Sequence, residues 1–380
     1  MSVEQLTRNA VDVLPEGGLE AKLRLGRPLR VKLGIDVTSP DIHIGRAVPL
    51  QRMRAFQDEG HIGVLIVGDY TTRIGDPSGR SSERPILSDD EIDANAKVYL
   101  EQAMVVLDPD RTEVRYNGEW LSKLTYAEVV RLARTITVAR MLERDDFAKR
   151  MQAQEPISVS ELLYPLMQAY DSVAIEADIE LGGTDQLYNL LAGREVMAHY
   201  GLEPQVVLTT PLLLSWDGAK MSSSVGNNIP LLAPPEEIFG RTMRIPDTQL
   251  AEWWGLIAEQ PVPDGDAMAA KLELARFIVR RSWGQEAAER AEAHFTRVVR
   301  EGEAPDDVEE QPLPDGDPVH LPAALAAVFG LSTSEARRLI AQGGVKVNGA
   351  VVSELDFPRK SLADALVQAG KRRFVRLVGP

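Results

Sequence analysis

The chain has 380 residues, 44% of them hydrophobic, and a formal net charge of −15 at pH 7. That is enough apolar material for two or three packed domains, and the acidic balance argues against a general nucleic-acid coat. Cysteine is absent, which excludes a disulfide framework, cysteine-ligated zinc and thiol catalysis and fits a reducing cytosol.

The N-terminus, M-S-V-E-Q-L-T-R-N-A, carries no long apolar run, so neither a signal peptide nor a membrane span is expected and a cytoplasmic protein follows. Val3 to Leu14 and Leu19 to Leu25 read as polar helices covering a first strand, Leu29 to Ile35. The strand breaks at Val37-Thr38-Ser39-Pro40, and a helix is expected from Ala47 to Gly60, with Asp41 as a possible cap. His43, Gly45 and Arg46 lie at its entry, where free N–H groups attract phosphate and a glycine admits a ligand close to the backbone. An ordinary helix entry accounts for the same pattern.

Ile62 to Val67 is a continuous apolar run and reads as a buried parallel strand. It ends in the glycine-rich stretch from Gly68 to Arg80, the kind of loop at which open α/β sheets bind ligands; for Asp76, between Gly75 and Pro77, a tight turn is the competing reading. A helix from Ser88 to about Leu107 and a strand Glu113 to Tyr116 follow. Asn117 and Trp120-Leu121 come next, then the helices Tyr126 to Thr135 and Val138 to Arg150. On the helix Glu161 to Ala174, Tyr164, Gln168 and Asp171 are spaced four and three apart and share one face, which could be merely solvated. The strand I-E-A-D-I-E-L ends in Gly182-Gly183-Thr184-Asp185-Gln186 at another helix entry. Short strands are expected at Val206 to Leu208 and Leu212 to Leu214. The loop from Ser215 to Asn228, with Lys220-Met221-Ser222-Ser223-Ser224, reads as mobile.

Glu236 to Leu256 and Met268 to Val299 read as helices, with Trp253, Trp254, Phe277 and Trp283 expected in the core. Glu301 to His320 holds eight Asp/Glu, no Lys/Arg and four prolines, and reads as a solvated linker. From Leu321 to Pro380 nine Lys/Arg face four Asp/Glu, so this segment carries +5 on an acidic chain. Two short helices, a hairpin turning at Asn348-Gly349 and a last strand from Arg373 to Val378 are expected there.

These motifs together carry a resemblance. H-I-G-R resembles the H-I-G-H signature of class I aminoacyl-tRNA synthetases, and K-M-S-S-S their K-M-S-K-S loop; His43 and Lys220 lie 177 positions apart, in order. Within that class, Y-x-x-x-Q-x-x-D, G-G-T-D-Q and G-D-P-S-G resemble the tyrosyl-tRNA synthetase family. The tail from Leu321, with E-A-R-R-L-I-A-Q-G-G-V-K-V-N-G, is similar to the RNA-binding module named after ribosomal protein S-four. The tryptophanyl family shares the catalytic fold, but Asp171 and the tail favour tyrosine. A non-catalytic RNA-binding derivative is the reading from another class.

The resemblance implies an α/β fold: a Rossmann-like doubly wound parallel sheet over 1–230, with a helical dimerisation insert at about 120–165. A helical tRNA-binding domain over 231–300, the linker 301–320 and an α+β RNA-binding module over 321–380 would follow. It implies ATP, L-tyrosine and the tRNA for tyrosine as partners, Mg2+ as cofactor with no protein metal site, and a homodimer. Thr38, His43 and Lys220 would be catalytic. Gly34, Asp36, Gly45, Gly183, Asp185 and the loop Met221, Ser222, Ser223, Ser224 would join them at ATP. Asp76, Tyr164 and Gln168 would hold the amino group of tyrosine, Gln186 would lie near its carboxylate, and Asp171 would accept from its phenol. Arg337, Arg338, Lys346, Lys371, Arg372 and Arg373 would contact RNA phosphates. The chain departs from the pattern at Arg46, Val37, Ser39 and Ser223. It also departs at Lys32, where some tyrosyl enzymes place a tyrosine against the substrate hydroxyl.

Overall fold

The computed structural model describes residues 3–76, 87–223, 225–301, 308–370 and 373–379. The chain forms two compact units. One comprises residues 1–233 and 241–274, the other residues 234–240 and 275–380.

A six-stranded sheet organises the first unit. In chain order its strands are β1 (Asp12–Leu14), β2 (Arg30–Ile35), β3 (Ile62–Val67), β4 (Thr112–Tyr116), β5 (Ile179–Gly183) and β6 (Val206–Thr210). They lie in the order β1-β6-β5-β2-β3-β4. All neighbours are parallel except β1, which pairs antiparallel with β6. The doubly wound parallel sheet is therefore present, with one antiparallel edge strand. That strand corrects the helix expected over Val3 to Leu14, where the helix is confined to Val3–Leu6. Three residues have no strand periodicity of their own; the free edge of β6 makes them a strand.

β3 shows why the central strands are apolar throughout. Leu65 and Val67 enter the cluster that also holds Leu33, Leu50, Phe56 and Tyr99. Val64 and Ile66 enter a separate cluster with Ile175 and Ala177. Alternate residues point to opposite faces, so a strand covered on both must be apolar at every position. On β2 and β5 the second face breaks that rule. Lys32 is 0% exposed and Glu180 1%, and the two are register partners across the parallel pair.

Further differences have local causes. The helix Ile44–Asp58 is entered through His43 rather than capped by Asp41, whose carboxylate accepts from Gln102 Nε2 at 3.4 Å instead. No strand forms at Leu212 to Leu214; Leu214 makes an isolated bridge to Lys220. Trp253 and Trp254 are buried as expected, but Trp283, at the end of the helix Ala267–Trp283, is 46% exposed.

In the second unit, a five-stranded sheet combines β7 (Glu310–Pro312) with β9 (Val345–Val347), β10 (Ala350–Val351), β12 (Ala365–Ala369) and β13 (Arg373–Val378). β8 (Val319–His320) pairs with β11 (Asp356–Phe357). The solvated linker read over 301–320 is thus shorter. β7 runs parallel to β13, and Leu313 and Val319 are buried with Leu325, Ile340 and Val367. The hairpin at Asn348-Gly349 forms as expected, with both turn residues at positive φ. Among the described residues no helix is long and apolar enough to cross a membrane.

Candidate active site

The two distant sequence motifs meet through backbone pairing. Ile44 N–H donates to Ile229 O at 2.9 Å and Leu231 N–H to Ile42 O at 2.7 Å. The segment that closes the 215–228 loop therefore lies along the entry of the helix Ile44–Asp58. His43 and Lys220 are close enough that Lys220 bears on the imidazole. His43 is pushed down to about 3, first by burial and then by the charges of Arg46 and Lys220. It is neutral at pH 7, and its buried Nδ1 has no hydrogen-bond partner among the described residues. Gly45 keeps this approach uncrowded, because a Cβ would lie 3.2 Å from His43 Nδ1 and 3.4 Å from Met221 Sδ and those side chains would have to give way slightly.

Side-chain amides tie the described part of the loop. Asn227, 4% exposed, takes Ser222 N–H on its Oδ1 at 2.9 Å and donates to the Asp217 carboxylate at 3.0 Å. Asn228 donates to Ser223 Oγ at 3.1 Å, so the serine that replaces a lysine holds the loop. Lys220 Nζ is 2.6 Å from Asp185 Oδ2, an ion pair between two residues expected at ATP. Gly183 precedes them because a Cβ there would meet Asp185 Oδ1 at 2.6 Å. Ser224 lies outside the described residues. Thr38 is half-buried after β2, and Gly34 faces open space.

The face shared by Tyr164, Gln168 and Asp171 is not solvated. Tyr164 is 6% exposed and Asp171 3%. The Tyr164 hydroxyl donates to Asp36 Oδ2 at 2.9 Å. Burial, then Asp36 and Asp76, then Asp171, hold that phenol well above its ordinary range, so three carboxylates surround it. Such a cluster suits a cationic ammonium group. Asp36 also accepts from Thr71 Oγ1 at 2.8 Å, so this residue, expected at ATP, is bonded into the amino-acid end. Gln186 Nε2 donates to Asp76 Oδ2 at 2.8 Å, and its Oε1 accepts from Asn189 Nδ2 at 3.0 Å. Residues 77–80 of the G-D-P-S-G stretch lie outside the described residues.

Asp171 accepts from Trp120 Nε1 at 2.8 Å and from Asn117 Nδ2 at 3.3 Å. Burial pushes its carboxyl up to about 7 against the opposing pull of Lys32, Trp120 and Asn117. Neither Asn117 nor Trp120 carried a role in the sequence. The available signal was their place after a strand, at the carboxyl edge of the sheet. Arg144 was missed as well; it pairs with Asp146 at 2.6 Å and donates to Asn189 Oδ1 at 3.1 Å, behind Gln186.

Lys32 does not replace the missing phenol partner. Its three donors go to Gln168 O at 2.8 Å, Ser172 Oγ at 2.7 Å and Glu180 Oε1 at 2.8 Å. An ammonium has three donors, so none is left for a ligand.

In the second unit, Arg337, Arg338 and Arg373 are exposed and Lys346 is half-buried. Arg338 and Arg373 both bear on Glu335, whose carboxyl is held low first by its bonds to Ser332. Arg337 Nη2 lies 3.3 Å from His320 Nε2. Lys371 and Arg372 lie outside the described residues.

This fold and site agree with the comparisons. Residues 24–311 match the family described as tRNA synthetases class I (W and Y), and residues 321–371 match the S4 domain. A tyrosine–tRNA ligase of Thermotoga maritima is 46% identical over 391 residues, covering 99% of this chain and 97% of its own. One from Ralstonia nicotianae is 48% identical, covering 93% of each. A crystal structure of the Archaeoglobus fulgidus tyrosyl-tRNA synthetase complexed with L-tyrosine has the same fold, with a TM-score of 0.60 at 23% identity over 76% of this chain and 98% of that one. The chain belongs to the tyrosyl-tRNA synthetases of class I.

Asp171 gives the site a pH signature. In the role the resemblance implies, accepting from the phenol, Asp171 is needed as the carboxylate, so kcat/KM for tyrosine is expected to fall as pH drops through about 7. Pyrophosphate exchange across pH, at saturating ATP, measures this. A profile flat through that region shows that Asp171 does not titrate where tyrosine is read.

Proposed function

We infer that this chain is a tyrosine–tRNA ligase that activates L-tyrosine with ATP and transfers it to the 3′ end of its tRNA. The single observation that carries the reading is the convergence at the carboxyl ends of the parallel strands: Lys220 bears on His43 and pairs with Asp185 just after β5, while Asp36, just after β2, takes the Tyr164 hydroxyl. The tyrosine carboxylate attacks the α-phosphate, and the bond to the β-phosphate breaks as pyrophosphate leaves. No protein nucleophile is needed; the protein positions both substrates and stabilises the departing charge. Thr38, neutral His43 and Lys220 supply donors for that charge, and the guanidinium of Arg46 adds a fixed charge beside His43. The terminal hydroxyl of the tRNA then attacks the carbonyl, and AMP leaves.

Among the described residues no group of three or more His, Asp or Glu could hold a metal ion. In this proposal Mg2+ enters on the ATP phosphates, and no step is assigned to it. Asp36, Asp76, Tyr164 and Gln168 bind the ammonium group, Gln186 lies by the carboxylate and Asp171 reads the phenol. An unmet buried polar group costs about 1–3 kcal/mol, and more when charged, so phenylalanine is rejected by what it leaves unpaired. Rejection of phenylalanine by a tyrosyl-tRNA synthetase is the standard example of this effect. Asp171→Asn keeps the shape but makes a donor available. It weakens tyrosine in pyrophosphate exchange far more than ATP and narrows the gap to phenylalanine; unchanged kinetics with both amino acids would sink the assignment.

The second unit is proposed to bind tRNA through Arg337, Arg338, Lys346 and Arg373, with the undescribed Lys371 and Arg372. Charge reversal at Arg337 and Arg338 lowers aminoacylation at least tenfold at about 0.15 M salt, while exchange persists. Parallel loss of both activities contradicts this division.

The insert at 120–165 exposes Tyr126 at 85%, Val138 at 58%, Met151 at 53% and Val159 at 74%. Apolar side chains gathered on one element run support a second copy of this chain as their cover, in a symmetric homodimer. Sedimentation at micromolar concentration gives a dimer; only monomers there reject it.

A further inference from the structure

The Lys32–Glu180 pair lies below the proposed amino-acid site and has no part in the chemistry. Glu180 receives four donors. Lys32 Nζ and Gln168 Nε2 reach its Oε1 at 2.8 and 3.3 Å. Ser172 Oγ reaches its Oε2 at 3.2 Å, and Gln205 Nε2 reaches the same oxygen. Gly193 makes room behind it, since a Cβ there would stand 2.5 Å from Gln205 Nε2 and 3.1 Å from Glu180 Oε2.

An ionised carboxylate only accepts, so the Gln168 amide can face it only with its NH2 group. A flipped amide would set oxygen against oxygen. The Gln168 carbonyl oxygen is thereby turned to the other side of the amide, and it is the group left buried without a partner among the described residues. Gln168 shares its helix face with Tyr164, whose hydroxyl is engaged by Asp36. An unmet acceptor beside that cluster matches a cationic N–H donor and repels a carboxylate. Lys32 keeps the arrangement possible: its ammonium, in contact with Glu180 Oε1, compensates the charge of a carboxylate this deeply buried.

We propose that the Lys32–Glu180 pair is a positioning device for substrate selection, which fixes the Gln168 amide with its oxygen toward the ammonium group of the amino acid. This rests on the reading that Gln168 meets that ammonium group.

The test compares two fragments of the substrate. Tyramine keeps the ammonium group and lacks the carboxylate; 4-hydroxyphenylpropionate keeps the carboxylate and lacks the ammonium group. The variant Lys32→Met/Glu180→Gln removes both charges together, so no lone charge is buried. A hydrogen bond to a charged group contributes about 1.5–3 kcal/mol, or at least roughly tenfold in affinity. The double variant therefore weakens tyramine and raises the KM for tyrosine about tenfold. Binding of 4-hydroxyphenylpropionate, the KM for ATP and kcat stay as they were. Equal weakening of both fragments, or of neither, overturns the proposal. If the double variant does not fold, Gly193→Ala decides, since it presses on the same carboxylate without changing charge, and the same selective loss is expected. Gln168→Ala separates the two levels: if it leaves tyramine binding unchanged, the reading of Gln168 itself fails.

Discussion

Two opposite charges buried between neighbouring parallel strands constrain the catalytic unit more than any other contact. Lys32 and Glu180 lie in the row of the sheet where β3 carries Val64. Breaking such a pair by removing one partner costs about 3–5 kcal/mol, because the other charge is left stranded. The pair holds β2 and β5 in one register, since a slip would strand both charges. It also reaches the helix Val159–Ala174 through Gln168 O and Ser172. The sheet is therefore two-sided in kind. One face is a continuous hydrocarbon core; the other becomes polar at β2 and β5, beneath the site.

From that polar face a run of hydrogen bonds spans the amino-acid end. Trp120 and Asn117 hold Asp171, and Asn117 Nδ2 also reaches Thr71 Oγ1 at 3.1 Å. Thr71 binds Asp36, and Asp36 takes the Tyr164 hydroxyl. Gly68 belongs to the same arrangement, because a Cβ there would lie 2.3 Å from Thr71 Oγ1 and 2.5 Å from Asp36 Oδ1. Every member is buried or half-buried, and a buried polar group is stable only when paired. The side chains proposed to meet substrate are in this way aimed by others that are not.

The sequence made the central strands and the principal motifs legible because each has a local signal. An apolar run marks β3, a shared helix face marks Tyr164, Gln168 and Asp171, and Asn-Gly marks the hairpin. What it hid depends on register and partners. β1 exists only as an addition to β6. Glu310–Pro312 looked like linker because prolines and acids surround it, yet β13 offers it an edge. The role of Lys32 could not be read from its neighbours, since its partner Glu180 comes from another strand far along the chain. The same holds for Asn117 and Trp120, whose purpose appears only once Asp171 is opposite them. Trp283 was misplaced because size alone suggested burial.

The contact between Lys220 and Asp185 bears on how the proposed nucleotide end would take its ligand. Its two side chains are 61% and 25% exposed, so water screens the attraction strongly. An ion pair of this kind contributes about 0–1 kcal/mol, which is at most roughly fivefold in an equilibrium constant. In the proposed function the lysine thus rests on a counter-ion that a triphosphate would displace at little cost to its affinity, and the carboxylate would be released toward a sugar hydroxyl in the same event.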